Sequence, residues 1–197
     1  ALELYDYAEK ILNQDININK DGVLAKVLNA NSTENVMEPH EFKNFFCLLI
    51  AAGNDTTRYS IAMSLYQLSL DNTLIEGLKT NNHWDTCADE FIRLASPTMY
   101  FRRTATSDIN FGGKNIKKGD KVILWFVSGN RDKDVFQNPH DPIISRSPNP
   151  HISFGQGGVH FCLGIWLARM EVRILLEELI KKIDYIKPLS EPTWIRS

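Results

Sequence analysis

One long segment without an internal proline, from Pro39 to Asp71, limits most strongly how this chain can fold. Its apolar residues recur at helical spacing, and Pro39 stands where the first turn of a helix tolerates proline. A helix over the whole segment spans about 50 Å, the width of a large domain. Its middle, residues 45–53, is apolar nearly all round, which predicts a buried helix.

Five residues interrupt this pattern, Gly53-Asn54-Asp55-Thr56-Thr57. They are poor helix formers at the point where the helix should be most regular. A local rule that fails inside a buried element often marks a functional site, and Asp55 and Thr56 carry the polar groups there. The alternative is a helix kink with an aspartate that is paired elsewhere.

The remaining elements give a mainly α fold with a small β component. The pattern predicts further helices at residues 1–13, 22–30, 73–81, 85–96 and 162–183, and strands at residues 99–106 and 121–127. It predicts turns or polar breaks at residues 13–22, 31–35, 112–113 and 115–119. A coil at residues 128–154, rich in Pro, Asn, Asp and Ser, is long enough to indicate a function.

Composition excludes several classes of protein. The 197 residues carry a net charge of −2, with 43% hydrophobic and 23% charged residues, so we expect a globular protein without a nucleic-acid partner. The longest apolar run, residues 45–52, falls short of the ~20 residues of a membrane span. Cys47, Cys87 and Cys162 form no C-x-x-C pair, which predicts free thiols and a cytoplasmic location.

The segment from Phe154 to Gly164, FGQGGVHFCLG, is the most informative part of the sequence. Three glycines in four residues permit backbone conformations closed to other residues, and they let a flat ligand approach the backbone. Cys162 begins the last predicted helix, where free N–H groups and the helix dipole favour a thiolate. Such a thiolate suits an axial sulfur ligand to heme iron, whereas the alternative is a buried free cysteine.

This loop resembles the heme-binding signature of the cytochrome P450 superfamily, and residues 167–171 fit it too. Residues 52–57 resemble the oxygen-activation motif on the family's long central helix, and Glu90-Phe91-Ile92-Arg93 matches its E-x-x-R motif. Phe154 precedes Cys162 by eight residues, one more than the commonest spacing. Some bacterial members, including sterol and terpenoid hydroxylases, have a similar glycine-rich loop, and residues 101–106 and 147–153 resemble that bacterial group most.

The resemblance implies the C-terminal half of the cytochrome P450 fold: long central helix, E-x-x-R helix, meander, cysteine loop and final helix. Residues 1–197 would then form a partial heme domain, without the family's N-terminal half and terminal hairpin. Part of the heme surroundings and much apolar surface would be uncovered, so we expect weak heme retention and aggregation.

The resemblance also assigns roles to individual residues. Cys162 would be the axial ligand to the iron of heme b, and Asp55 and Thr56 would form the catalytic proton relay. Glu90, Arg93 and Arg146 would form a structural charge cluster that fixes the cysteine coil. The remaining heme contacts would be Phe154, Gly155, Gly157, Gly164 and Ala52, with His160 and Arg103 on the propionates. Strand alternation makes Arg102 the solvated neighbour of Arg103, although the two assignments could be exchanged.

The implied function is O₂-dependent hydroxylation of a lipophilic small molecule that is a sterol, a terpenoid or fatty-acid-like. A ferredoxin or a flavoprotein would supply the electrons. Two alternatives remain open: a truncated heme-binding module without turnover, and a peroxide-driven heme-thiolate enzyme. The pair Asp55-Thr56 favours O₂ chemistry over the peroxide-driven enzyme, which needs no proton relay.

Overall fold

A computed structural model describes residues 2–30, 37–81, 83–190 and 192–193. The predicted polar break at residues 31–35 lies outside this part of the chain. The described elements are, in chain order, α1 (Leu2–Leu12), α2 (Val23–Ala30), α3 (Pro39–Leu70), α4 (Thr73–Asn81), α5 (Trp84–Ala95), β1 (Tyr100–Thr104), β2 (Ile109–Phe111), β3 (Lys114–Ile116), β4 (Lys121–Trp125), α6 (Phe126–Gly129) and α7 (Ile165–Ile180). The predicted mainly α fold with a small β component is confirmed.

The chain divides into two compact units, Ala1–Asp55 and Thr56–Ser197, and α3 contributes residues to both. In the first unit, apolar residues of α1 and α3 form a small core of Ala8, Ile11, Phe42 and Phe46. The rings of Tyr7 and Phe46 stack with their centroids 5.9 Å apart. An ion pair of 3.1 Å between Lys43 and Glu9 links the same two helices.

The core of the second unit is formed mainly by α4, α5 and α7, whose apolar faces meet. In α7 the core residues lie four positions apart, as a one-sided helix face requires, whereas α5 is buried at every position from Glu90 to Ala95. The buried residues are Leu68, Leu74, Ile75, Leu78, Cys87, Ala88, Phe91, Ile92, Ile144, Val172, Leu176 and Ile180.

Two small antiparallel sheets complete the described part of the second unit. β1 pairs with β4, with Tyr100 opposite Trp125 and Thr104 opposite Lys121. β2 and β3 form a hairpin whose turn contains Gly112 and Gly113 at φ +56° and +74°.

The predicted long helix is confirmed: residues 53–57 interrupt the apolar pattern but not the helix, because α3 is continuous from Pro39 to Leu70. Poor helix formers cost at most about 1 kcal/mol each. Gly53, Asn54 and Asp55 are exposed, and the hydroxyl of Ser60 donates to the carbonyl of Thr56 (2.8 Å) without breaking the helix. A helix of 32 residues absorbs such local costs.

The prediction of a helix buried all round at residues 45–53 was wrong. Phe46 is buried there, but the side chains of Leu48 and Ile50 are 66% and 43% exposed. The packing of the first unit uses the side of α3 that carries Phe42 and Phe46. The apolar composition of residues 45–53 therefore did not predict which faces of α3 are buried.

Three predicted boundaries change as well. The final helix starts at Ile165 and ends at Ile180, so Cys162 precedes it. Residues 114–116 belong to β3, because pairing with β2 outweighs the turn preference of Asn115, and the turn is limited to Lys118 and Gly119. β4 ends at Trp125, and the short helix α6 follows before the long coil.

Candidate functional site

The glycine loop between the coil and α7 closes on itself. Gly155, Gly157 and Gly158 adopt φ values of +79°, +71° and +79°, which glycine reaches without strain. The amide of Cys162 donates to the carbonyl of Phe154 (3.1 Å), and the amide of Phe161 donates to the carbonyl of Gly158 (3.2 Å). The two ends of the loop are therefore hydrogen-bonded to each other, as the glycine spacing permits.

Cys162 lies at the exit of this loop, with a partly exposed thiol. Gly164 caps α7, and its carbonyl accepts the amide of Ala168 (2.9 Å). The thiol thus precedes the first turn of α7, where backbone N–H groups lack partners within the helix.

The donor set around Cys162 fits a heme and not a bare metal ion. Among the described residues, no group of three or more His, Cys, Asp or Glu side chains could hold a metal ion. A porphyrin brings four nitrogen ligands of its own and needs one protein sulfur. A Cβ atom placed on Gly157, Gly158 or Gly164 would meet nothing within 4 Å, so the loop leaves room for a flat group.

Phe154 connects the loop to the core. Its ring is half-buried and packs against the hydrophobic cluster of the second unit. The ring centroid lies 5.5 Å from that of His151 and 5.4 Å from the guanidinium carbon of Arg169. Phe154 therefore anchors the loop by its side chain, while its carbonyl accepts the amide of Cys162.

Asp89, on α5, receives two side-chain donors from distant parts of the chain. Its Oδ1 accepts from Nε of Arg169 (2.7 Å) and from Nε2 of His151 (3.1 Å). Burial alone would raise the pKa of the Asp89 carboxyl, but the hydrogen bonds from His151 and Arg169 and the charge of Arg169 outweigh it and lower this pKa. Asp89 was not among the predicted site residues, because its partners are 62 and 80 positions away.

Glu90 and Arg93 lie next to Asp89 on α5, and both side chains are wholly buried. They form a bidentate pair, with Nε to Oε2 at 2.9 Å and NH2 to Oε1 at 2.8 Å. Nε of Arg146 donates to Oε2 of Glu90 (3.0 Å), so the structure brings the three predicted residues together. The amide of Ile143 and Nδ2 of Asn149 also donate to Glu90.

The pKa of Glu90 reflects these contacts. Burial raises the pKa, but hydrogen bonds from Arg93 and Ile143 and the charges of Arg93 and Arg146 lower it below its ordinary value. A carboxylate that accepts this many donors stays ionised inside the protein. The E-x-x-R pair is therefore a buried ionic cluster and not an exposed surface pair.

Arg93 extends this cluster to the coil. Its NH1 donates to the carbonyls of Asn130 and Pro139, each at 2.7 Å. The ring of Phe136 lies 4.9 Å from the guanidinium carbon of Arg93 and 5.7 Å from that of Arg146. Arg93 of α5 thus contacts the coil at Asn130, Phe136 and Pro139, and the coil has little regular structure of its own.

Asn130 forms a second buried junction. Its Nδ2 donates to the hydroxyls of Ser96 (2.9 Å) and Ser153 (2.8 Å), and its Oδ1 accepts the amide of Ile152 (2.8 Å). The hydroxyl of Ser153 donates in turn to the carbonyl of Ile92 (3.1 Å). This junction ties the residues just before the glycine loop to the end of α5.

Other predicted site residues lie on α3. Ala52 and Asp55 are exposed and Thr56 is half-buried. The boundary between the two compact units falls between Asp55 and Thr56, and the carbonyl of Thr56 accepts the hydroxyl of Ser60. The proposed proton relay stays a prediction.

Both candidate propionate arginines, Arg102 and Arg103, are exposed on β1, so their burial does not distinguish them. The guanidinium carbon of Arg103 lies 5.6 Å from the ring centroid of Phe101, and its NH1 donates to the carbonyl of Arg102 (3.1 Å). His160 is exposed in the glycine loop. Their roles toward a propionate stay predictions.

The cytochrome P450 family model matches residues 84–193. A steroid C26-monooxygenase of Mycolicibacterium smegmatis is 34% identical over 197 residues, which are 100% of this chain and 46% of that protein. A methyl-branched lipid omega-hydroxylase of Mycobacterium tuberculosis is 38% identical over 194 residues, which are 94% and 44%. The chain spans about half the length of the curated relatives it matches.

Solved structures agree in fold. A Mycobacterium marinum cytochrome P450 in complex with pseudoionone superposes with a TM-score of 0.86 at 37% identity, covering 92% of this chain and 44% of that one. A Bacillus megaterium enzyme in complex with testosterone superposes with a TM-score of 0.89 at 33% identity, covering 99% of this chain and 55% of that one.

No helix in the described ranges is long and apolar enough to cross a membrane.

Proposed function

The chain belongs to the cytochrome P450 family, and from this premise we propose that it carries the iron-ligating and oxygen-handling part of a heme-thiolate monooxygenase. The observation that carries the proposal is the closed glycine loop with the single thiol of Cys162 at its exit. Cys162 supplies one sulfur donor, and the loop glycines leave open space beside the backbone. Such a site suits a cofactor that brings its own nitrogen ligands.

In this proposal, Cys162 holds the iron of heme b. Gly155, Gly157 and Gly164 leave room at the backbone, Phe154 supports the loop, and Ala52 leaves space on α3. His160 and Arg103 would each donate to a propionate, because a cationic or N–H donor suits a carboxylate. When bound, the heme supplies the site at which oxygen is bound and reductively activated.

Asp55 and Thr56 would manage protons. The exposed carboxylate of Asp55 can take a proton from water, and the Oγ1 hydroxyl of Thr56, its neighbour in sequence, can hold a proton by hydrogen bonding. This relay supports O₂ chemistry over a peroxide-driven enzyme, which has no need to deliver protons.

We infer a lipophilic small molecule as the substrate, of sterol, terpenoid or fatty-acid-like chemistry. Support comes from the names of relatives that act on steroids and methyl-branched lipids, and from neighbours bound to pseudoionone and testosterone. We further propose a ferredoxin or flavoprotein electron donor and a cytoplasmic location. The whole reaction belongs to a protein of the relatives' full length.

The axial ligand can be tested with the reduced carbon monoxide spectrum of the heme-loaded full chain. We expect Cys162→Ala to abolish the thiolate-type Soret band. Cys47→Ala, which removes a half-buried thiol of α3, should keep that band. A thiolate-type band in Cys162→Ala would refute the assignment, and loss of the band in Cys47→Ala as well would contradict the expectation that only Cys162 is needed for it.

The proton relay can be tested by coupling. We expect Thr56→Ala to divert reducing equivalents to hydrogen peroxide, because the hydroxyl that holds a proton is gone. Thr56→Ser keeps a hydroxyl and should keep most of the coupling. Unchanged coupling in Thr56→Ala would remove Thr56 from the mechanism. Turnover with added peroxide alone, and none with O₂ and an electron donor, would favour the peroxide-driven alternative.

A further inference from the structure

The carboxylate of Asp89, on α5, joins the two segments that flank the glycine loop. We call the segment before the loop, which contains His151, the entering arm, and the segment after it, which contains Arg169, the leaving arm. Asp89 contacts His151, which precedes the loop, and Arg169, which follows it on α7. The backbone amides of Gly155, Phe161 and Cys162 donate within the loop (residues 154–164) or to Ile152 just before it, and the carbonyl of Gly164 accepts the amide of Ala168 on α7. Asp89 is thus the residue of α5 that both arms contact.

The entering arm is ordered by the orientation of His151. Its Nδ1 accepts the amide of Ser153 (3.3 Å), so Nε2 carries the proton that it donates to Asp89. The His151 side chain is only 2% exposed, and its ring contacts Phe154. The arm is therefore fixed immediately before the loop starts.

The leaving arm is fixed by Arg169. Its Nε donates to Asp89, while its guanidinium carbon lies 5.4 Å from the ring centroid of Phe154 and 5.3 Å from that of Trp166. A planar guanidinium can hydrogen-bond at its edge and stack on rings at the same time. Arg169 therefore connects the carboxylate, the start of the loop and α7.

We propose that Asp89, with His151 and Arg169, is a clamp that closes the base of the glycine loop and so positions Cys162. Asp89 acts through Phe154, whose ring touches both partners and whose carbonyl accepts the amide of Cys162. Asp89 is a positioning residue, since it touches no reacting group. Its relevance to iron ligation rests on the function proposed for Cys162.

The chain contains a matched control for this clamp. Asp85, one helical turn earlier on α5, accepts from NH1 of Arg173 on α7 at 2.6 Å. This second pair also bridges α5 and α7, but within the part of the chain that the structure describes neither residue forms a hydrogen bond or ion pair with residues 154–164. A general bridging effect would appear in both pairs, whereas a clamp on the loop would appear only at Asp89.

The test is amide hydrogen exchange of the full chain without heme. In Asp89→Ala we expect the Cys162 and Gly155 amides to exchange about tenfold faster, because the loop opens more often. The amides of Phe91 and Ile92 inside α5 should keep their rates. Asp85→Ala should leave the loop amides unchanged, and Asp89→Glu, which keeps the carboxylate, should restore most of the protection.

Three results would overturn the proposal. The first is equal loop exchange in Asp89→Ala and Asp85→Ala. The second is equal acceleration inside α5, which indicates global opening. The third is exchange in Asp89→Glu as fast as in Asp89→Ala. Because the measurement needs no heme, a failure of the carbon monoxide test would leave it decisive, and the two proposals can fail separately.

Discussion

At the scale of single residues, Glu90 has the most to lose from substitution. It is wholly buried between two guanidinium groups, and removal of one partner of a buried ion pair leaves an uncompensated charge. We expect Glu90→Gln to lower the free energy of unfolding by about 3–5 kcal/mol, measured by urea denaturation at pH 7. Asp108→Asn, which breaks an exposed pair with Lys117, is the control and should cause no measurable loss.

The lowered pKa of Glu90 gives this contribution a pH dependence. Because the folded-state pKa lies below the ordinary value of 4.5, the unfolded chain binds the proton more tightly than the folded chain. The stabilisation is fully present above about pH 5 and is lost as the pH falls through the folded-state pKa. The difference in unfolding free energy between the native chain and Glu90→Gln should be flat from pH 7 to 5 and then shrink. A difference that grows in acid would contradict this assignment.

The thiols of Cys87 and Cys162 should react very differently. Burial raises the pKa of Cys87 to about 12, so its reactive thiolate is scarce at pH 8. With iodoacetamide we expect Cys87 to be alkylated at least about tenfold more slowly than the partly exposed Cys162. Peptide mass spectrometry measures both sites, and the difference should vanish in denaturant. Similar rates in the folded chain would contradict the described burial.

At the scale of elements, two glycines with equal space around them should respond oppositely to alanine. A Cβ atom meets nothing within 4 Å at Gly53 or at Gly157. Gly53 lies inside the helix α3, so Gly53→Ala should stabilise the chain by about 1 kcal/mol. Gly157 has φ +71°, so Gly157→Ala should cost about 1–2 kcal/mol. Thermal unfolding measures both, and destabilisation by Gly53→Ala would indicate a local opening of α3.

The sequence predicts elements better than the contacts between them. Periodicity identified the helices, because it records a one-sided apolar face within a single element. Residues 53–57 interrupt the apolar pattern without breaking the helix, since propensity costs are small beside the stability of a long helix. The sequence identified Glu90, Arg93 and Arg146 only through resemblance to a family. It missed Asp89, whose partners are defined by packing between distant segments, and no local pattern marks it.

At the scale of the whole molecule, exposed apolar side chains should cause self-association. Leu48 and Ile50 on α3 are 66% and 43% exposed, and exposed apolar surface promotes association in water. We expect Leu48→Lys to reduce association of the chain in sedimentation velocity. Asn54→Lys, which adds the same charge at an exposed polar position of α3, should reduce it less. Equal effects would assign the change to net charge alone.

The hydrogen bonds of Asn130 also affect when its side-chain amide can be deamidated. The hydroxyls of Ser96 and Ser153 donate their own protons to the carbonyls of Arg93 and Ile92. The hydrogen bonds between these hydroxyls and Asn130 therefore use the two protons of the Asn130 side-chain amide. Deamidation would replace this donor by an acidic oxygen that faces two lone pairs inside the protein. The native contacts hold the amide rigid and away from water, and asparagine is a thermolabile residue once it is released. We therefore expect the extent of deamidation at Asn130 in a stored sample to follow the total time that its molecules have spent unfolded.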